Sequence, residues 1–484
     1  MKTFLFILIL FTSFAFNFVN NDFPLGYHVD EIKKVSFILE NRQDFKHPLL
    51  LLQIPRLVNL VLDWDTPEAI TFLGRTLSAL YGTLIVFITY LIARKFIKGF
   101  WPLIAAAILG LSPILVIHAH YIKEDVLFTL CFLLSFWTAL LYIEKKTVRT
   151  LLFFALSISL MISSKYIGVF FLLPACLLIR PYKRALFFLS IVAIVFIIIN
   201  YPIITQFSLF EKGFESEASH ALLGHNHRGV FIPISASDYL FGFHYLYSII
   251  PGFTLFFTLA GTTGLLLKFL KWPSLNSHYR LLICAPLIYY LIIEISPLKA
   301  FPNYMRYTIP VIPFLSIFAA LIWQKMSRPY PVIHALFIAA LFYMIYDSSL
   351  LVYHLNRDTR AQALIWMKEH PGQFKGDQYA LNKRGEPCVS TLDLIKEQEA
   401  GVSYLLSSNF FYDRITLASK LKNQALIIEK CKSSFDILFA LPYKEIKPAY
   451  KSFAFSNPCI RIIDITSKEP PSHSQSNEEE GLKL

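Results

Sequence analysis

Runs of apolar residues about as long as a membrane-crossing helix recur along this chain and constrain its fold more than any other feature. The first occupies residues 1–18, and others follow at about 69–93, 101–119, 125–143, 150–164, 166–180, 185–204, 246–268, 280–297, 307–324 and 331–352. A bilayer-spanning helix needs about 20 such residues, and a transmembrane barrel would instead show short alternating segments. Composition agrees: only 16% of residues are charged, against roughly 25% in soluble domains. The reading is a polytopic α-helical membrane protein with about eleven transmembrane helices. The first run, behind Lys2, is taken as an uncleaved helix rather than a signal peptide, since no small-x-small cleavage site stands directly before Asn20-Asn21. The stretch 150–180 is about 46 Å of helix, too long for one perpendicular span. Ser163-Ser164-Lys165 breaks it into two.

Charge placement orients these spans. One set of short loops carries Arg94, Lys95 and Lys98, then Lys145, Lys146 and Arg149, then Arg180, Lys183 and Arg184, then Lys268, Lys271 and Arg280, then Lys325 and Arg328. Alternate loops hold the acids Asp30, Glu31, Glu124, Asp125, Glu211, Glu215 and Glu217. Basic loops stay cytoplasmic, so the first outer loop 20–67, the long outer loop 205–245 and everything after 353 are expected outside. The net charge of +12 lies in those loops and forms no basic face, so nucleic acid is not the expected partner. Lack of any Asn-x-Ser/Thr acceptor favours a bacterial inner membrane over the endoplasmic reticulum.

Composition changes near residue 354. Asp358 opens a helix through Trp366 that stops at Pro371-Gly372, and 402–407, 425–428, 437–441 and 460–465 read as buried strands. The domains are therefore 1–353 in the membrane, a small extracytoplasmic α/β domain over 354–467, and a disordered tail 468–484. Cys131, Cys176 and Cys284 lie in apolar runs, so any disulfide is confined to Cys388, Cys431 and Cys459.

Chemistry belongs to the ionisable residues beside the spans, because charge near hydrocarbon is costly. Asp30 and Glu31 head this set. Neighbours on a helix point about 100° apart, so the two need different jobs, one of which is receiving a proton; a solvated acidic loop is the bland alternative. Asp125 either caps the helix that follows it or acts on substrate. Arg75, Lys165 and Arg306 fall on the outer side, where they either snorkel to headgroups or hold a phosphate. His118 and His120 make an incomplete metal site. His225, with His220 and His227, sits in the long loop and is read as part of a substrate-covering segment. No P-loop, GxSxG, HExxH or GxGxxG occurs, so an outer-face transferase would need a membrane-soluble donor.

Taken in order, these residues resemble the GT-C glycosyltransferases that use lipid-phosphate sugars, among them protein O-mannosyltransferases and lipid A aminoarabinose transferases. Asp30-Glu31 is similar to the family's first-loop pair and His47-Pro48 to its His-Pro step. Arg75 with Ser78-Ala79 resembles its second-helix motif, and Ser112-Pro113 followed by Asp125 its second acidic loop. Ser164-Lys165-Tyr166 resembles a Thr-Lys-Gly step with Tyr166 in place of Gly. Arg306-Tyr307 through Pro310 resembles its Arg-Tyr-x-x-Pro stretch, and Asp358 to Trp366 the opening of its outer domain. The resemblance implies an inverting transferase that takes a sugar from a polyprenyl-phosphate donor to a lipid, glycan or protein acceptor. Asp30 would be the base, and Glu31 and Asp125 would position sugar or acceptor. Arg75, Lys165 and Arg306 would hold the donor phosphate, with His225 and Tyr307 near the acceptor. No cofactor is required, and a divalent metal is allowed without being demanded. A lipid or glycan flippase is the alternative, although no repeated halves with matching broken helices occur.

Overall fold

The computed structural model describes residues 1–223, 244–296, 304–326, 330–377, 379–381, 388–389, 400–410, 412, 441–452 and 454–466. Contacts divide the chain into two units: Met1–Arg357 together with Phe453–Ser456, and Asp358–Ser452 together with Asn457–Leu484.

The first unit is helical. Among the described residues six helices are long and apolar enough to cross a membrane, including Pro67–Phe96, Glu124–Lys145, Tyr182–Ile199 and Ser277–Ile295. A seventh candidate is the pair Trp101–Gly110 and Pro113–Ala119, bent by 55° where Ser112-Pro113 cannot continue the hydrogen-bond ladder. The chain is thus a polytopic helical membrane protein, but length and composition support six or seven spans rather than the expected eleven. The difference lies in shorter apolar helices, Lys2–Phe18, Leu50–Leu62, Val148–Ser164, Tyr166–Leu178 and Leu255–Phe269, which the sequence counts as spans or interfacial pieces. The expected break after Ser164 is present: Val148–Ser164 ends at Lys165 in extended backbone, and a 3-10 turn, Tyr166–Phe171, follows.

Local chemistry explains these ends. Thr66, Thr147, Thr254 and Asn276 each accept a backbone N–H at the head of their helix, which satisfies one orphan donor of the first turn. Between helices Leu255–Phe269 and Ile312–Met326 the backbones nearly touch: a Cβ on Gly261 or Gly264 would lie 2.7 Å from the carbonyl oxygen of Leu315 or Phe318. In the first loop, two short helices, Glu31–Leu39 and Leu50–Leu62, fold onto the second span. Val35, Ile38, Phe45, Leu49 and Leu52 join Ile70, Leu73 and Ile122 in one buried cluster. Burial of such side chains is worth about 1.5–3 kcal/mol each, and here it pins the acidic start of the loop helix above the spans.

The second unit is a five-stranded sheet, β1 Phe374–Asp377, β2 Cys388–Val389, β3 Tyr404–Ser408, β4 Tyr443–Ile446 and β5 Ile460–Asp464, in the order β2-β1-β3-β5-β4. β1 pairs parallel with β2 and β3, and β5 pairs antiparallel with β3 and β4. Helix Thr359–Glu369, capped by Asp358, contributes Ala363 to the buried cluster formed with Leu406, Ile446, Ile460 and Ile462. The expected helix and the strands near 402–407 and 460–465 correspond to Thr359–Glu369, β3 and β5. The expected strand at 425–428, most of 437–441, Cys431 and the tail 468–484 lie outside the described residues. Cys131, Cys176, Cys284 and Cys459 are free thiols.

Candidate active site

Four carboxylates and five cations converge where the first loop meets the heads of two helices and the 3-10 turn Tyr304–Val311. Glu31 starts the loop helix and is completely buried. Both of its oxygens face Arg75, from Nε at 3.1 Å and from Nη2 at 2.7 Å, and Oε1 also accepts the Ile122 N–H at 3.1 Å. Arg75 Nη1 donates to the carbonyls of Asn21 at 2.9 Å and Phe23 at 2.6 Å, and Nη2 reaches Pro24 at 3.5 Å. A guanidinium has five N–H donors, and all five are engaged. Its face lies 3.6 Å from the centroid of the Phe23 ring. Arg75 is 1% exposed. Arg75, expected to bind the donor phosphate, here directs its donors to Glu31 and to the first-loop carbonyls.

Asp30, one position earlier, points elsewhere, as the angular offset along a helix requires. Its Oδ2 lies 2.8 Å from Lys123 Nζ and 4.0 Å from both Arg306 Nη1 and His28 Nδ1. Among the described residues nothing reaches its Oδ1, and 36% of the side chain is accessible. His28 is buried. Its Nδ1 faces the Asp30 N–H at 3.2 Å and its Nε2 faces Arg306 Nη1 at 3.2 Å. Burial keeps His28 neutral, its pKa well below the usual imidazole value.

Glu124 and Asp125 open the helix that follows, and neither acts as its cap: the N-cap position is Lys123, with no side-chain cap. Asp125 instead accepts from Lys165 Nζ at 2.6 Å and has Arg306 Nε 3.5 Å away. Lys165 lies 4.4 Å from the Tyr307 ring centroid. Glu124 pairs with Lys34 and with Lys123 at 3.0 Å, while His47 Nε2 is 4.0 Å away. The charges thus alternate, Lys34, Glu124, Lys123, Asp30, Arg306, Asp125, Lys165, with Glu31 and Arg75 as a separate closed pair.

The structure brings Asp30, Glu31, Asp125, Arg75, Lys165, Arg306 and Tyr307 into one region, whereas His225 lies outside the described residues. Sequence reasoning gave no role to Lys34, Lys123 or Glu124. The signal was available in part, since Lys123-Glu124 stands at the head of a long apolar helix, where charge is costly.

A family profile described as Dolichyl-phosphate-mannose-protein mannosyltransferase matches residues 46–204, a stretch that contains His47, Arg75, Glu124, Asp125 and Lys165. Curated proteins yield no match. Among solved structures, the oligosaccharyltransferase AglB from Archaeoglobus fulgidus, in complex with an inhibitory peptide and a dolichol-phosphate, is similar over 92% of this chain and 79% of its own, with TM-score 0.54 and 10% identity. ArnT from Cupriavidus metallidurans in the apo state is similar over 95% of this chain and 97% of its own, with TM-score 0.51 and 12% identity. The fold is that of the GT-C glycosyltransferases.

Another AglB structure with this fold contains zinc and sulfate, with TM-score 0.52 and 11% identity. Here the donor set does not fit a cation. Among the described residues no group of three or more His, Cys, Asp or Glu side chains is placed to hold a metal ion. Each carboxylate instead meets a Lys or Arg. Five cations against four carboxylates leave one positive charge, which suits an anion.

Proposed function

We propose that the protein is an inverting glycosyltransferase that moves a sugar from a polyprenyl-phosphate donor to a lipid, glycan or protein acceptor of the cell envelope. We place the reaction at the outer face of a bacterial inner membrane, on the alternation of basic and acidic loops. The observation that carries the reading is the asymmetry of the four acids: Asp30 has an accessible side chain and no described residue on Oδ1, whereas Glu31, Glu124 and Asp125 are buried among their cations. A base needs a free lone pair directed at substrate.

In this reading the acceptor hydroxyl or amine attacks the anomeric carbon from the face opposite the phosphate. The bond between anomeric carbon and phosphate oxygen breaks, its electron pair stays on the phosphate, and the acceptor proton passes to Asp30 Oδ1. Lys165 and Arg306, oriented by Asp125, meet the charge growing on the leaving phosphate. Glu31 and Arg75 hold the loop that carries Asp30. The dolichol-phosphate in the AglB complex supports a lipid-phosphate donor for the shared fold.

Purified protein incubated with a panel of radiolabelled polyprenyl-phosphate sugars, with envelope lipid, glycan and protein fractions as acceptors, tests this. One panel member should transfer label to one fraction, with inversion at the anomeric carbon. Movement of intact donor across vesicles without a new glycosidic bond would establish the flippase alternative instead. A reporter after residue 352 that is active only in the cytoplasm would overturn the orientation.

A further inference from the structure

We propose that Lys123 is a positioning residue for Asp30: it clamps Oδ2, leaves Oδ1 to the acceptor, and is itself held in place by Glu124. The catalytic part of this inference rests on the reading of Asp30 as the base.

Three observations carry it. First, Lys123 bridges the two acidic segments. Its ammonium lies 2.8 Å from Asp30 Oδ2 and 3.0 Å from Glu124 Oε2. Second, among the described residues three groups lie nearest the same oxygen of Asp30: Lys123 from the head of helix Glu124–Lys145, Arg306 from the 3-10 turn, and His28 from the loop itself all approach Oδ2. A carboxylate clamped at one oxygen has a defined direction for the other. Third, Lys123 has little freedom to serve elsewhere. Its side chain is 8% exposed, and Glu124 is buried between it and Lys34.

The electrostatics give a readout that a packing role would not move. Burial, the largest single influence, would raise the Asp30 carboxyl, but Lys123, His28 and Arg306 together outweigh it and hold the group well below the usual carboxylate range. For Lys123, burial lowers the ammonium, yet Asp30 and Glu124 overcome that and raise it, with Arg306 opposing and Asp125 assisting. Asp30 is therefore ionised at every working pH in the resting protein. Such a carboxylate is a weak base, so it takes the acceptor proton only as the new bond acidifies that proton. Removing the Lys123 charge should let Asp30 bind a proton at higher pH.

The experiment titrates the full-length protein in detergent micelles by infrared spectroscopy. The Asp30 carboxyl band is identified by its loss in Asp30→Asn. In wild type it should protonate only well below the usual carboxylate range. In Lys123→Met its protonation should move up by about one pH unit or more, the size expected on losing a charge at contact distance. Lys123→Arg should titrate as wild type. With the donor and acceptor found by the panel assay, the acid limb of kcat should move with the same sign, while undecaprenyl phosphate binding changes less than about threefold, since Lys123 is not assigned to the phosphate. An unchanged Asp30 titration in folded Lys123→Met would overturn the inference. Unchanged turnover in Asp30→Asn would overturn the base assignment while leaving the infrared result standing. If Lys123→Met does not fold, Lys123→Gln decides in its place, because it too removes the charge and must show the upward shift.

Discussion

Two carboxylate environments lie side by side in the first loop. Around Glu31 everything is closed: both oxygens are taken, the partner guanidinium has no donor left, and neither side chain meets solvent. Around Asp30 half is closed and half is open, with Oδ2 clamped, no described residue on Oδ1, and 36% of the side chain accessible. The difference shows how one dipeptide serves two purposes. A fully satisfied buried pair contributes geometry, because any ligand would have to break it first. A half-satisfied carboxylate at the surface of the same cluster has a lone pair to use.

The largest expected effect tests the open half. Asp30→Asn keeps the shape and loses the basicity, so turnover should fall by about 100- to 10,000-fold with the melting temperature close to wild type. Near wild-type turnover would break the comparison and make Asp125 the leading acid. The closed half should respond in stability. Arg75→Ala strands Glu31 and three carbonyls in a buried space, at a cost of about 3–5 kcal/mol, seen as loss of folded yield and early unfolding in micelles. If that variant folded normally and lost only donor binding, Arg75 would return to the phosphate site.

A third acid sharpens the contrast. Asp377, at the end of β1, is buried with no cation beside it among the described residues and accepts from the N–H groups of Tyr379, Ala380 and Ser408 and from the Ser408 hydroxyl. Burial outweighs those hydrogen bonds and raises its pKa to about 6. The folded unit then binds the proton more tightly than the unfolded chain, whose carboxyl titrates near 3.9. Stability of the sheet should therefore rise as pH falls from about 6 to 4, by at most about 3 kcal/mol. Asp377→Asn should flatten that dependence, as read from hydrogen exchange of β1 and β3. The smallest effect concerns Lys165→Met, which should weaken undecaprenyl phosphate binding about tenfold, the scale of one charge-assisted contact. Unaltered binding would leave Arg306 as the phosphate cation.

Much of this was legible beforehand, for identifiable reasons. Apolar runs and breaks depend on local composition, so helix Glu124–Lys145, the break at Lys165 and helix Thr359–Glu369 were readable from neighbours in the chain. The span count was less so, because Val148–Ser164 and Leu255–Phe269 are apolar without being long. The members of the charged cluster were also mostly visible as expensive charges at helix ends. Their pairing was not. Asp125 reads equally well as a helix cap, and only its contact with Lys165 removes that reading.

By itself, then, the chain's order of apolar and charged residues determined a multi-span helical protein, an acidic first loop, and two adjacent carboxylates that must diverge. The tertiary structure alone decided which acid is spent and which is free. Glu31 meets a guanidinium 44 positions away, and Arg306 comes 278 positions to reach His28. Local spacing governs contacts within a turn or two of helix, whereas ion pairing follows distance through space, which exists only once the spans have packed.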